Sequence, residues 1–213
     1  MAKKNRHECA NLRRIKMNLQ AKKKIGLLFG SFNPIHIGHL ILANYMLEFT
    51  DLSQVWFITS PHNPLKEKKS LLADHHRLAM VNIAIENNYQ FRSSSIEFNL
   101  PHPSYTIDTL SHLYEKHPDN DFILIMGSDN LSSLKKWKNY KELLKLYKMY
   151  VYPRPGSDGG EFTNSPNVKM VNAPLMEISS SFIRKAIKDK KNIQYMFPPG
   201  VYEYILEMHF YER

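Results

Sequence analysis

The chain of 213 residues has one cysteine and no long apolar run, and each of these features excludes some classes of protein. Cys9 cannot form an internal disulfide, and a lone cysteine excludes a zinc site built from several cysteines. The longest unbroken apolar run covers residues 122–126, whereas a membrane-spanning helix needs roughly 20 such residues. We therefore expect a soluble cytoplasmic protein that makes no contact with membranes.

Outside its first residues the chain also has little net charge. Residues 1–24 hold nine Lys or Arg and one acid, whereas the other 189 residues hold 20 bases and 19 acids. A protein that coats nucleic acid with its folded surface carries positive charge on that surface. The nearly neutral body therefore argues against nucleic acid as a partner. The length and the 43% apolar content predict one globular domain, which we expect to cover residues 24–213.

The basic leader, residues 1–23, allows several interpretations. It lacks the apolar segment that a secretory signal requires. Leu12, Ile15 and Leu19 follow helical spacing among basic residues, as in an organellar transit peptide, but the leader contains no serine. We favour a solvated basic tail, or a start codon assigned too early with Met17 as the true start.

Short apolar segments alternate along the chain with longer segments of helical period, a pattern typical of βαβ units. The predicted strands cover residues 25–29, 55–59, 122–126, 148–152 and 168–171. The predicted helices cover residues 37–49, 74–85 with Asp74 in an N-cap-like position, 180–187 after a serine cap, and 201–209. The sequence thus predicts an α/β fold with a doubly wound, mostly parallel, Rossmann-like sheet, whose ligands lie outside the carboxyl ends of its strands.

Residues 30–39, Gly-Ser-Phe-Asn-Pro-Ile-His-Ile-Gly-His, follow the first predicted strand and open a helix. Gly30 allows the backbone to turn, and the free N–H groups of the helix start make an anion site. His36 and His39 are three apart and can face that anion together, while Gly38 leaves space for a phosphate. Two ordinary surface histidines would fit the spacing as well, and a zinc site lacks a third ligand nearby. We favour a nucleotide-binding loop without a protein-held metal.

A second motif, Ile-Ser-Ser-Ser-Phe-Ile-Arg, occupies residues 178–184 at the start of a late helix. Its serines can satisfy helix N–H groups and leave hydroxyls and amides for phosphate. Arg184, about one turn into the helix, supplies an always-charged planar donor. Taken alone, the segment is equally well an N-cap beside a surface arginine. With the first motif, it predicts the other half of a triphosphate clamp.

Together the two motifs, including a literal His-Ile-Gly-His, resemble the nucleotidyltransferase superfamily, and in detail the bacterial nicotinate mononucleotide adenylyltransferases. The resemblance covers roughly residues 24–207. It implies transfer of AMP from ATP to nicotinate mononucleotide, with Mg²⁺ arriving on ATP, and it implies that His36, His39 and Arg184 are catalytic. The ATP-binding residues that it implies are Gly30, Ser31, Phe32, His36, His39, Gly127, Asp129, Ile178, Ser179, Ser180 and Arg184.

The same resemblance implies residues that bind the mononucleotide. Lys66 ends a proline-rich loop and would contact phosphate, although that loop departs from the usual Pro-Pro-His-Lys and leaves the role of His62 open. Tyr105 and Thr106 lie in a segment similar to the one that precedes a helix in the family, and they would bind the nicotinate end.

Two further residues have both a ligand-binding and a structural interpretation. Trp137 would stack on the pyridine ring, since the lysines on both sides of it disfavour full burial, but a core position is the alternative. Arg154 resembles a phosphate contact of the family, and a plain loop charge is the alternative.

Other functions stay open from the sequence. A different enzyme of the superfamily, using phosphopantetheine or CTP, shares the His-x-Gly-His element, although Trp137 and the Tyr105–Thr106 pair argue against it. A nucleic-acid-binding module acting through the leader is disfavoured by the neutral body. The sequence allows a homo-oligomer without requiring one.

Overall fold

A computed structural model describes residues 22–61 and 71–212, so the predicted leader, apart from Lys22 and Lys23, lies outside the described residues. The described strands are β1 (Lys23–Gly30), β2 (Gln54–Thr59), β3 (Phe91–Ser94), β4 (Asn120–Gly127), β5 (Lys148–Tyr152) and β6 (Val168–Met170). They form one sheet in the order β3-β2-β1-β4-β5-β6, and each neighbouring pair is parallel. The predicted doubly wound α/β fold is therefore confirmed.

The helices that cover the sheet are α1 (Ile37–Phe49), α2 (Asp74–Ile85), α3 (Thr106–Lys116), α4 (Ser128–Ser132), α5 (Tyr140–Leu146), α6 (Ser180–Lys188) and α7 (Val201–Glu207). In the part of the chain that the structure describes, no helix is long and apolar enough to cross a membrane.

An apolar core lies on each face of the sheet. One core packs α1, α2, α6 and α7 against the sheet and buries Met46, Met80 and Ile183 completely. The other packs α3, α4 and α5 against the opposite face around Leu110 and Leu143. Burying each such side chain contributes about 1.5–3 kcal/mol to stability. Because side chains alternate along each strand, the central strands supply both cores.

The central pair of strands creates the crevice that ligands use in such sheets. β1 pairs with β2 on one side and with β4 on the other. The chain therefore leaves β1 and β4 in opposite directions, which opens a gap beyond their carboxyl ends.

Several predicted boundaries differ from the structure. Strand β1 begins two residues earlier than predicted, and β3 was missed because only Phe91 in it is strongly apolar. The N-cap prediction for Asp74 is wrong, because Ala73 is the N-cap of α2. Asp74 is the first residue of the helix itself, and its carboxylate accepts a hydrogen bond from Arg77.

Candidate active site

A cleft of about 460 Å³ opens at the carboxyl end of β1, a size ordinary for small-molecule sites. Its lining includes the loop after β1 with the first turn of α1, the start of α4, the turn after β5 and the start of α6. Of the residues predicted to bind ATP or phosphate, the lining includes Gly30, Ser31, Phe32, His36, His39, Asp129, Arg154, Ile178, Ser179, Ser180 and Arg184. The two sequence motifs, separated by about 140 residues, thus meet in one cleft.

His36 is the N-cap of α1 and is only 5% exposed, although it lines the cleft. Its Nδ1 atom has no hydrogen-bond partner among the described residues. Burial, assisted by the positive charge of Arg154, lowers the pKa of His36 to about 4. The imidazole is therefore neutral near pH 7 and offers a phosphate an N–H donor rather than a full charge.

His39 is held by the backbone of the same helix turn. The backbone N–H of His36 donates to Nδ1 of His39 at 3.2 Å, and the two rings lie 3.8 Å apart between centroids. Accepting that bond requires a lone pair on Nδ1, so the ring proton of neutral His39 is on Nε2. The Nε2–H group of His39 therefore lies at the end of its ring away from the helix backbone.

The turn after β1 is made at Phe32 rather than at Gly30. Phe32 has a positive φ of 44° and is nearly fully buried, with its ring packed edge-on against His39. A Cβ at Gly30 would lie 2.8 Å from the Phe32 ring. Gly30 therefore permits the turn by leaving room for the Phe32 ring, while Phe32, and not Gly30, adopts the left-handed backbone conformation.

Hydrogen bonds join the second motif to the first. Ser179 caps α6 by accepting a hydrogen bond from the backbone N–H of Phe182 at 3.2 Å. Ser180 donates its hydroxyl to the carbonyl of Pro34 at 2.9 Å, and Arg184 donates to the carbonyl of Asn33 at 2.8 Å. The Ser180 hydroxyl is thus occupied within the protein, contrary to the expectation that the serine hydroxyls stay available for phosphate.

Gly38 brings the two motifs into direct contact. A Cβ at this position would lie 2.6 Å from Cγ2 of Ile178 and 3.1 Å from Nδ1 of His36. The absence of a side chain therefore allows the first turn of α1 to pack on the second motif. We expected glycine here in order to leave space for a phosphate. In the structure, the contacts that require glycine are those with Ile178 and His36.

The wall of the cleft that faces the two motifs contains one acidic side chain, Asp129, and one basic side chain, Arg154. Nε of Arg154 lies 3.9 Å from the Asp129 carboxylate, and the backbone N–H of Arg154 donates to the Ser128 hydroxyl at 2.9 Å. A Cβ at Gly127 would collide with the Asp129 carboxylate and with Arg154. Gly127 itself is not among the lining residues, and its effect on the cleft is to allow this wall to form.

The residues predicted to hold the nicotinate end lie together elsewhere, on the side of the second core. Tyr105 is the N-cap of α3, Thr106 begins that helix, and half-buried Trp137 packs against the same core. Lys138, next to Trp137, places Nζ 4.6 Å from the centre of the Tyr105 ring and 2.9 Å from the Asp108 carboxylate. None of these residues lines the described cleft, and Lys66 and His62 lie outside the described residues.

The sequence analysis did not identify the residues that hydrogen-bond to the loop after β1 on the side away from the cleft. The side-chain oxygen of Asn33 accepts hydrogen bonds from the backbone N–H of Leu72 at 3.2 Å and from the Tyr211 hydroxyl at 2.8 Å. Arg77, fully buried, donates to the carbonyl of Ser31 at 2.5 Å. A signal for Arg77 was present, because it lies four residues before Val81 on the apolar face of α2.

The buried state of His36 predicts a measurable pH dependence of stability. An unfolded histidine titrates near 6.5, so between pH 6.5 and the folded pKa of about 4 the unfolded chain binds the extra proton. Stability is therefore expected to fall as the pH falls through this window. We expect His36 alone to cost about 2 kcal/mol between pH 7 and pH 5.

Urea unfolding of the wild type and of His36→Asn at the two pH values measures this effect. The other histidines are common to both proteins, so the difference between their pH-dependent losses isolates His36. Equal losses in the two proteins would show that His36 titrates normally and is not desolvated.

Comparison with known proteins places this geometry in a family. Residues 27–186 match the cytidylyltransferase-like family model. The chain is 54% identical over 192 residues to the probable nicotinate-nucleotide adenylyltransferase of Flavobacterium psychrophilum, covering 89% of this chain and all of that protein. It is 47% identical over 186 residues to the protein of the same name from Bacteroides thetaiotaomicron, covering 87% of this chain and 92% of that one.

A solved structure agrees with the fold. The nicotinic acid mononucleotide adenylyltransferase of Plasmodium falciparum, complexed with NaAD, superimposes with a TM-score of 0.75 at 23% identity, covering 89% of this chain and 98% of that one. With the identities to the bacterial relatives over nearly their whole lengths, the chain belongs to the nicotinate-nucleotide adenylyltransferase family.

Proposed function

We propose that the protein transfers AMP from ATP to nicotinate mononucleotide, giving nicotinate adenine dinucleotide and pyrophosphate. The observation that supports this most directly is the single cleft in which His36, His39 and Arg184 converge from motifs far apart in the chain. The names of the bacterial relatives support the choice of acceptor. The one cysteine agrees with a reducing cytoplasmic location, which we propose as well.

The proposed reaction is an in-line displacement at the α-phosphorus of ATP. An oxygen of the 5′-phosphate of nicotinate mononucleotide forms the new bond, and the bond from the α-phosphorus to the bridging oxygen of the leaving pyrophosphate breaks. Because the attacking phosphate is already an anion, no general base is needed. Catalysis then depends on positioning the two substrates and on neutralising the charge that develops on the α-phosphate and pyrophosphate.

The side chains of the cleft can divide this work. Neutral His36 and the Nε2–H of His39 would donate to the α- and β-phosphates from the start of α1, where the helix dipole also favours an anion. Arg184 would stabilise the leaving pyrophosphate, because its bond to the carbonyl of Asn33 fixes a guanidinium that is always charged. Asp129, on the opposite wall, would contact the ribose of ATP.

The cleft suits a magnesium ion that arrives with ATP. Among the described residues no group of three or more His, Cys, Asp or Glu could hold a metal, and Asp129 is the one carboxylate that lines the cleft. Mg²⁺ keeps several waters and commonly binds through substrate phosphates with one or two carboxylates. Its contribution when bound would be to neutralise triphosphate charge, with Asp129 as the available protein oxygen.

The mononucleotide would extend from the cleft toward the N-terminus of α3. Tyr105 and Thr106 begin that helix and Trp137 lies on the same side of the sheet, so these residues are our proposal for the nicotinate end. Arg154, which lines the cleft, and Lys66 are proposed to contact phosphate.

Pyrophosphate release with different substrate pairs tests the proposal. We expect release with ATP and nicotinate mononucleotide, in a one-to-one ratio with the dinucleotide product. Phosphopantetheine in place of the mononucleotide, or CTP in place of ATP, should give at most background release. Efficient turnover with either replacement, or none with any mononucleotide, would contradict the proposed function.

A further inference from the structure

Arg77 is a fully buried cation that the proposed chemistry does not use. Its side chain is 0% exposed, and its position on α2 points it beneath the cleft loop rather than into the cleft, whose lining does not include it. A buried charge costs several kcal/mol unless its donors are satisfied, so its partners have to explain its presence.

The partners of Arg77 are almost all backbone carbonyls. Nη1 donates to the carbonyls of Ser31 at 2.5 Å and Ser60 at 2.7 Å. Nη2 donates to the carbonyl of Pro61 at 3.0 Å and to the Asp74 carboxylate at 2.5 Å, and Nε donates to the carbonyl of Leu72 at 3.0 Å. These five bonds match the five N–H donors that a guanidinium has.

These carbonyls belong to three separate segments of the chain that meet around the Arg77 guanidinium. Ser31 is in the cleft loop after β1, whereas Ser60 and Pro61 follow β2. Leu72 lies just ahead of α2, and its own N–H donates to Asn33 of the cleft loop. One planar group therefore fixes how far the loop after β1 stands from the loop after β2 and from the start of α2.

Holding three segments in this way requires the geometry of arginine. A lysine at this position would keep the charge but has three donors from one atom, so it cannot reach carbonyls on several sides at once. The Asp74 carboxylate, which is 42% exposed, pairs with one end of the guanidinium and leaves the rest to the carbonyls.

We infer that Arg77 is a positioning residue for adenylyl transfer, which keeps the Ser31–Asn33 part of the cleft loop in register with the end of β2. The inference rests on the proposed function for its kinetic consequence. A displacement of reacting groups by about 1 Å can cost a hundredfold in rate, so a loosened loop should reduce kcat without removing any group that touches substrate.

Arg77→Ala with chemical rescue tests this role. We expect kcat with ATP and nicotinate mononucleotide to fall at least about tenfold, at a temperature well below the Tm of the variant. Methylguanidinium, which fits the space left by the side chain, should restore kcat several-fold and saturably. It should have no effect on the wild type or on Arg92→Ala, the matched control at an exposed arginine that lies over Trp56.

A purely structural role would lower the Tm of Arg77→Ala without a rescuable loss of kcat in the folded protein, and that result would overturn the inference. If Arg77→Ala does not fold, Arg77→Lys decides. It should fold and lose at least about fivefold in kcat, and wild-type kcat in that variant would overturn the inference.

Binding of α,β-methylene-ATP to the same variants separates this inference from the proposed function. We expect the affinity to fall at least about fivefold in Arg77→Ala, or in Arg77→Lys if the alanine variant does not fold, and methylguanidinium to restore it in the alanine variant. A wild type inactive with every mononucleotide would refute the proposed function, and the affinity data would then decide on Arg77 alone. Unchanged affinity in that case would overturn the inference.

Discussion

Replacement of His39 with alanine is expected to lower turnover at least about a hundredfold, which corresponds to a loss of roughly 2.7 kcal/mol of transition-state stabilisation. The reason is that the ring proton on Nε2 is a fixed donor, oriented by the bond from the backbone N–H of His36 to Nδ1. The phosphates acquire charge during the displacement, so the loss should appear mainly in kcat. Steady-state pyrophosphate release, with both substrates varied, measures it.

The fold of the His39→Ala protein should survive, because the capping acceptor that the helix loses is worth about 1 kcal/mol. His112→Ala is the matched control: His112 lies on α3, is half exposed and has Glu115 3.9 Å away. That variant should keep normal turnover. If His39→Ala were folded and nearly as active as the wild type, the His-Ile-Gly-His segment would not be the catalytic motif.

Nicotinate mononucleotide is expected to be preferred over nicotinamide mononucleotide by about five- to 150-fold in kcat/KM. The two rings are nearly isosteric, so the choice depends on what the pocket offers the carboxylate or the amide. Donors at Tyr105 and Thr106 would hydrogen-bond to both oxygens of the carboxylate. With the amide, one of these donors would face the NH₂ group, which cannot accept a hydrogen bond. An unpaired buried donor costs about 1–3 kcal/mol, and the N-terminus of the 11-residue α3 favours an anion as well.

Side-by-side kcat/KM values for the two mononucleotides decide this point, and Trp137→Ala provides a control. Stacking on the indole ring would hold either base, so this variant should lower both values and leave their ratio unchanged. Equal kcat/KM values in the wild type, or a preference for the amide, would refute the nicotinate assignment while leaving adenylyl transfer intact.

The sequence was sufficient for five of the six described strands, their parallel arrangement and the two motifs, because these depend on local pattern. Alternation of apolar strands and helical periods is readable in one dimension, and the run at 122–126 indicated the central strand β4. The short edge strand β3 was not readable, since three of its four residues are polar or charged and it pairs with β2 alone.

The roles of single residues depended on contacts between distant segments, which local pattern does not contain. Gly38 looked like a phosphate-approach position, but its constraint is the methyl group of Ile178, 140 residues later. The Ser180 hydroxyl looked available for phosphate, but it donates a hydrogen bond to the carbonyl of Pro34. Arg77 is recognisable only once the ends of the surrounding loops are known to meet.

The hydrogen bonds between the second motif and the first also have a consequence for synthesis of the protein on the ribosome. A nascent chain that has completed α1 carries the two histidines, but Ser180 and Arg184, which bond to the carbonyls of Pro34 and Asn33 just ahead of them, are translated about 150 residues after that loop. The Tyr211 hydroxyl that holds Asn33 is 178 residues away and is made later still. With ATP as the proposed ligand of this cleft, we expect the complete site, and any stabilisation by bound ligand, to form only after the last helices have been made.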